Sequence, residues 1–504
     1  MYSPLLATLI CLLLAFGAFD LVFHHEMQER LAWRPTQRRE LWLHAARNLI
    51  YAAIFLCLGW TKPQGLFAVA LIAVLAVEVV VTLWDFVEED RSRKLPESER
   101  VLHALLAVTY GAVLALLVPA LVTLSTLPSA IHIVNHGLWS YFLTLAAAGV
   151  ALFGLRDMAA ARRLERLPAT DVQDLIGARE TPKHILVTGG TGFVGRRLVA
   201  ALIAAGHDVT VMTRDPKKAA DLPTPLRLVS DFTEIADETP LDAIVHLAGE
   251  PVAGGLWTKA RRARIHASRF GLTRRLVDWI AERKQKPAVL VSASAVGWYG
   301  LRGDEVLTET ATARVCFTQE VCVRWEQEAR KAEHLGLRVV RLRIGLVLGR
   351  DGGLLASMLP SFEFGLGARL GDGQQWMSWI ERDDLVRLIL TALGDARYSG
   401  VVNATAPNPV RNAEFTRALA RALGRPSFLV LPARLLRMAA GDLAEEVLLG
   451  GQRVMPAKAE AAGFVFRHAT LSSALDTILG ARQASKAGMR ALPRGRGQHQ
   501  PMPR

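Results

Sequence analysis

The sequence predicts an α/β protein: a doubly wound parallel sheet with a small C-terminal substrate-side module, preceded by an all-helical transmembrane bundle. Three observations carry this. Apolar residues crowd into positions 1–155, from 183 onward short β-rich runs alternate with helical patterns, and a glycine-rich turn, VTGGTGFVG at 187–195, joins the first such strand to the first such helix. Strand–helix alternation is the pattern of a parallel sheet covered on both faces. At 504 residues the chain suits two or three domains. The expected boundaries are 1–156 (membrane helices), 157–182 (a polar connector), 183–400 (nucleotide-binding domain), 401–483 (its C-terminal module) and 484–504 (a disordered basic tail).

The net charge is +13. The basic residues flank apolar stretches and fill the tail rather than interleaving with aromatics, so they speak for membrane topology and against nucleic acid. Cys11, Cys57, Cys316 and Cys322 have no metal-site spacing and form no disulfide framework.

Five apolar stretches, 5–23, 45–60, 66–84, 101–122 and 138–155, approach or reach the ~20 residues that span a bilayer as helix. The first lacks the basic start and small-residue cleavage site of a signal peptide and is expected to be retained. Arg30, Arg34, Arg38 and Arg39 follow the first stretch. Arg91, Arg93, Lys94 and Arg100 follow the third, and Arg156, Arg162, Arg163 and Arg166 the fifth. The other two loops carry only Lys62. The positive-inside rule then predicts a multi-pass protein of a bacterial-type inner membrane, with the N-terminus outside and the C-terminal domain cytoplasmic.

Ionisable residues inside such stretches are functional candidates. Glu78, Asp85 and Glu89 share one helical face, Glu99 and His103 follow on the next helix, His24, His25 and Glu26 end the first, and His44 begins the second. Glu78, Asp85, Glu89, His103, His25 and His44 are the candidate metal ligands, with a quinone or lipid-headgroup site and a plain ion-pair network with the arginines as the alternatives.

In the second half, 184–188 reads as a strand, 193–205 as a helix and 209–212 as a second strand. A glycine turn opening a helix leaves free amides and a positive dipole end facing a phosphate. Gly189, Thr191, Gly192, Phe193, Val194 and Gly195 are therefore expected to hold a dinucleotide pyrophosphate in a Rossmann domain. Arg214, just past the second strand, suits the 2′-phosphate of NADP, while Asp215 keeps NAD open. Asp231, after a strand at 226–229, is a candidate for the adenine, and Leu247, Ala248 and Gly249, after a strand at 243–247, for close backbone approach to the cofactor. A helix at 259–283 and a strand at 288–292 continue the alternation. Arg269 is a candidate contact for the cofactor or an anionic substrate, and Asp383 or Asp384 a candidate N-cap for a helix at 385–393.

These residues, with HLAGEPVAGGLWT, SASAVGWYG, VNATAPNPVRNAEF and LLGGQRVMPAKAEAAGFVFRH, resemble the extended short-chain dehydrogenase/reductase superfamily, and within it the atypical epimerase-family branch. The resemblance covers 183–480 and leaves the membrane region as an added module. It implies a serine, a tyrosine and a lysine for proton transfer. Ser294 stands in the serine's place with Ser292 nearby, but Thr318 and Cys322 stand where the tyrosine and lysine belong. Tyr299 is the candidate substitute, so Ser294 and Tyr299 are the expected catalytic pair. The function expected is a membrane-anchored NAD(P)-dependent epimerase/dehydratase-like oxidoreductase acting on a small-molecule or lipid-linked substrate. The alternatives are a non-catalytic NADP-binding sensor or assembly factor, and a membrane metal or quinone site coupled to the Rossmann domain.

Overall fold

The computed structural model describes residues 3–93, 95–167, 171–177 and 181–480. The chain forms two compact units, Met1–Leu167 and Pro168–Arg504. Lys94 and the basic tail at 484–504 lie outside the described residues.

The first unit is built from helices α1 (Pro4–Phe19), α2 (Arg38–Trp60), α3 (Leu66–Ser92), α4 (Glu97–Ser125) and α5 (Leu138–Arg166). A π-helical stretch, Asp20–Glu29, prolongs α1 and ends at Arg30, which takes left-handed backbone angles. Five helical segments here are long and apolar enough to cross a membrane. The polarity of α3 is inverted relative to a helix in water. Glu78, Asp85 and Glu89 are buried, whereas Val80, Leu83 and Trp84 are 61%, 59% and 60% exposed. Leu58, Leu71, Leu117 and Leu143 fill the apolar part of the interior. The two loops poor in basic residues meet as an antiparallel pair, Thr61–Gln64 against Ala130–Ile133.

In the second unit, β1 (His184–Thr188), β2 (Asp208–Met212), β3 (Arg227–Val229), β4 (Ala243–His246), β5 (Val289–Ala295), β6 (Arg338–Ile344) and β7 (Gly400–Ala404) form one sheet. Its order is β7-β6-β5-β4-β1-β2-β3 and every pair is parallel. Alternation along the strands sends Ile185, Val187, Val211 and Val245 to one core and Leu186, Ile244, Leu290 and Val339 to the other. The strand order reverses between β1 and β4, the switch point at which such sheets take ligands. Around the sheet run α6 (Phe193–Ala204), α7 (Lys259–His266), α8 (Leu272–Glu282), α9 (Phe317–Arg330) and α10 (Arg382–Gly394).

Several expectations change. The polar connector begins later than 157, because α5 continues to Arg166. Its basic residues have partners that hold them on the helix: Arg156 pairs with Glu26 at 2.6 Å, and the Arg163 guanidinium lies 3.5 Å from the centre of the Trp33 ring. The helix expected at 259–283 is interrupted by a π-helical turn, Ala267–Gly271. Gly400–Ala404 pairs with β6, so the C-terminal module starts after 404 rather than at 401. Ser294 lies within β5 and not beyond it. The N-cap of α10 is Glu381, whose carboxylate accepts from the amides of Asp383 and Asp384 at 2.7 and 3.0 Å. Those two aspartates are engaged elsewhere: Asp383 takes Arg197 in a bidentate pair, and Asp384 accepts from the amides of Arg467 and His468.

Candidate functional site

The glycine loop lies at the switch point. Gly189 has φ +74°, and a side chain there would strike the backbone of Leu247 and Ala248. A Cβ at Gly195 would fall on the Gly189 carbonyl oxygen. Gly192 is the N-cap of α6 and contributes no side chain, so the first-turn amides at Phe193 and Val194 have no capping acceptor. Thr191 anchors the loop by accepting from Arg196 through its carbonyl at 2.9 Å. The Phe193 ring lies 5.2 Å from the Arg382 guanidinium.

A buried polar seam fixes the two loops to each other. The Leu247 amide donates to the Thr188 carbonyl at 3.0 Å. His246 stands between the hydroxyls of Thr188 (Nδ1, 2.7 Å) and Thr273 (Nε2, 2.9 Å). The Thr273 hydroxyl donates to the Arg269 carbonyl at 2.8 Å. Its oxygen can therefore only accept from His246, which puts the ring hydrogen on Nε2 and makes Nδ1 the acceptor for Thr188. Burial pushes the imidazole down to about 4, so the ring is neutral at physiological pH.

Arg214 projects past β2, exposed, with no hydrogen bond or ion pair among the described residues. Asp231 is engaged by its own surroundings: one oxygen accepts from Thr233 and the other pairs with Arg275 at 2.6 Å. Arg269 is only 8% exposed and, among the described residues, forms no ion pair. Its Nη1 makes two long contacts of 3.4 Å, to the Ile265 carbonyl and the Ser268 hydroxyl. Its guanidinium lies next to Gly249, where a Cβ would be 3.5 Å from Cζ. The guanidinium also lies over the Trp325 ring at 5.2 Å, and a buried cation beside the loop after β4 is suited to receive an anion.

A family model for the NAD dependent epimerase/dehydratase family matches residues 185–404, and one for a domain of unknown function matches 431–478. An epimerase family protein SDR39U1 homolog from Arabidopsis thaliana is 42% identical over 312 residues, 60% of this chain and 88% of the relative. The chain belongs to the epimerase family. An epimerase family protein of Mycobacterium bovis is 42% identical over 293 residues, 58% of this chain and 96% of the relative. Among solved structures, human epimerase family protein SDR39U1 with NADPH matches with a TM-score of 0.52 at 31% identity, covering 59% of this chain and 99% of that one.

The Ser294 hydroxyl donates to Glu326 at 2.7 Å, and Glu326 is held by Arg343 at 2.8 and 3.1 Å, all buried. Ser292 is buried in β5. Tyr299 is 0% exposed and its hydroxyl donates to Asn403 at 2.7 Å. It packs with Leu307 and Val454, and burial raises its pKa. The hydroxyl is thus committed inside the core. The Cys322 thiol is pushed up to about 12 by burial. Thr318 donates its hydroxyl to Glu446 at 2.9 Å, and the same carboxylate accepts from the amides of Phe317 and Thr318 at 2.9 and 2.8 Å. Glu446 thus caps the start of α9. It lies 128 positions along the chain from Thr318, and no local pattern marks it.

In the first unit, His25, His44, Glu89 and His103 lie close to one another in the interior. Asp20 and Glu99 complete the assembly, giving two groupings with donor atoms within 4.8 Å of one another: Asp20, His25, Glu99 and His103, and His25, His44 and Glu89. Asp85 lies at the margin, 3.3 Å from His44 and tied to Arg47 at 2.6 Å. Glu78 belongs to neither grouping, and its carboxylate accepts from Thr82 one turn further along the same helix. Asp20 escaped the sequence reading because it sits at the end of an apolar run, where an acidic residue reads as a helix end.

Proposed function

We propose that the chain is a membrane-anchored, NADP-dependent epimerase/dehydratase-like oxidoreductase, with its nucleotide-binding unit in the cytoplasm and its substrate drawn from the lipid phase. The observation that carries the cofactor is the uncapped, glycine-lined start of α6 with an unpartnered Arg214 beyond β2. Amides and dipole suit the pyrophosphate, and a free guanidinium suits a 2′-phosphate. The NADPH in the human relative's structure supports the same choice. Arg269 supplies a second cationic contact, to the cofactor or to an anionic group on the substrate.

The inverted polarity of α3 supports the membrane reading. Apolar side chains outside and carboxylates inside suit lipid surroundings rather than water. The pairing of 61–64 with 130–133 supports the topology, since it gathers the loops poor in basic residues at one end and leaves the arginine-rich loops for the cytoplasmic side.

One observation favours a second reading, NADP binding without turnover: neither the buried Cys322 thiol nor the Thr318 hydroxyl, already given to Glu446, is poised to move a proton. The two separate in one experiment on the full chain in nanodiscs made with native lipid extract. Deuterium transfer from 4-deuterated NADPH into an organic-phase product, lost in Gly195→Ala, is the expected result. Tight NADPH binding with no transferred label would leave the sensor. Loss of NADPH preference over NADH in Arg214→Ala checks the cofactor, and an unchanged preference would overturn the NADP assignment.

A further inference from the structure

The four-residue grouping in the first unit has the construction of a metal centre. The Asp20 Oδ2 lies 3.2 Å from His103 Nε2 and 3.4 Å from His25 Nε2, and His25 Nε2 lies 3.6 Å from Glu99 Oε1. Four donors about 2.0–2.2 Å from a central ion stand about 3.3–3.6 Å apart at the corners of a tetrahedron. Charge-assisted hydrogen bonds run shorter, about 2.7–2.9 Å. Two arginine–carboxylate pairs of the same unit are that short or shorter: Arg93 to Glu99 at 2.7 Å and Arg47 to Asp85 at 2.6 Å. The histidine–carboxylate contacts of this grouping are spaced as ligands around a shared centre.

Two further observations point to an ion. His25, 4% exposed, makes no hydrogen bond through Nε2 although the carboxylates of Asp20 and Glu99 lie 3.4 and 3.6 Å from it. The residues behind the grouping act as orienting partners do in metal sites, where a ligating histidine gives its other nitrogen to a carboxylate and ligating carboxylates are themselves held. His103 Nδ1 lies 3.3 Å from Glu89 Oε2. His24 holds Asp20 through Oδ1 at 2.8 Å, leaving Oδ2 for the centre. Arg93 grips both oxygens of Glu99 and is shared with Glu40. Asp20 and His25 are presented by a ten-residue π-helical stretch, a geometry that recurs at functional sites.

We propose that Asp20, His25, Glu99 and His103 bind a divalent first-row transition metal. Two imidazoles and two carboxylates suit Zn²⁺, Fe²⁺ or Mn²⁺. The second grouping offers three donors, shares His25, and has its His44 drawn to Asp85, so the four-donor grouping is the site. Asp20, His25 and His103 line a cavity of 390 Å³ whose remaining walls are mostly aliphatic and aromatic. That cavity gives the ion an entry path.

The test uses the full chain, in nanodiscs after removal of any affinity tag, loaded separately with Zn²⁺, Fe²⁺ and Mn²⁺, dialysed, and assayed for metal by mass spectrometry. One ion per chain is expected for the wild type with at least one of the three. Asp20→Asn, which keeps the size of the side chain, and His25→Ala should each lose it with helix content unchanged by circular dichroism. Glu89→Gln, a change behind the ligands, should weaken binding about 10–100-fold. A wild-type chain that retains none of the three ions overturns the proposal, as does retention that is equal in Asp20→Asn and the wild type. Asp20→Asn also covers the case in which His25→Ala fails to fold.

Discussion

Acidification should loosen the nucleotide-binding unit through His246. The ring is fully buried between Thr188 and Thr273 and has no carboxylate partner to stabilise its charged form. It titrates at about 4 in the folded chain against 6.5 in the unfolded one. Between those values the unfolded chain binds a proton that the folded chain does not, so stability is complete above pH 6.5 and falls as the pH drops toward 4. At about 1.36 kcal/mol per pH unit, the loss is about 3 kcal/mol. That is a large part of a typical domain's ~5–15 kcal/mol. Carboxylates titrate over part of the same window, so the measurement is a comparison. Urea midpoints of the full chain, followed by tryptophan fluorescence, are taken from neutral pH to about pH 4 for the wild type and His246→Gln. The variant should start lower, by about 1–3 kcal/mol, because it strands a buried threonine hydroxyl. It should then lose less on acidification. Identical pH slopes for the two chains would refute the argument from burial.

Three further outcomes follow from the same geometry. Gly195→Ala should weaken NADPH binding by about two orders of magnitude or more, at about 1.4 kcal/mol per tenfold, because its Cβ meets the Gly189 carbonyl; titration of cofactor fluorescence checks it. Arg343→Met leaves Glu326 buried without its cation and should cost about 3–5 kcal/mol in chemical denaturation; a loss below 1 kcal/mol or so would mean that Ser294 and Arg341 suffice to hold the carboxylate. Cys322 should resist alkylation in the native chain and react fully after denaturation, since burial holds its thiol at about 12; native-state labelling of Cys322, located by peptide mass spectrometry, would count against that burial.

The glycine loop, the strand alternation and the apolar spans were legible because each is written in neighbouring residues. A period of two or 3.6 sets which side chains share a face, and the loop's glycines follow one another closely enough to be seen as a unit. The catalytic expectation was less secure. Tyr299 follows the strand that carries Ser294, but its direction is decided by Asn403, Leu307 and Val454, which come from distant stretches of the chain. The helix-capping expectation missed by two positions because Asp383 and Asp384 found stronger partners in Arg197 and in the backbone at 467–468, leaving Glu381 to accept the first amides.

By itself the sequence determined that a parallel sheet with a dinucleotide loop follows a set of membrane-length helices. Only the tertiary structure decided what meets what. It brought Glu446 onto the start of α9, seated Arg269 beside Gly249, and joined Asp20 and Glu99 to the histidines. Asp20 and His103 are 83 residues apart, far beyond the reach of any helical or strand period. Their meeting depends on the packing of α1, its π-helical extension and α4 around buried charge, which local spacing does not encode.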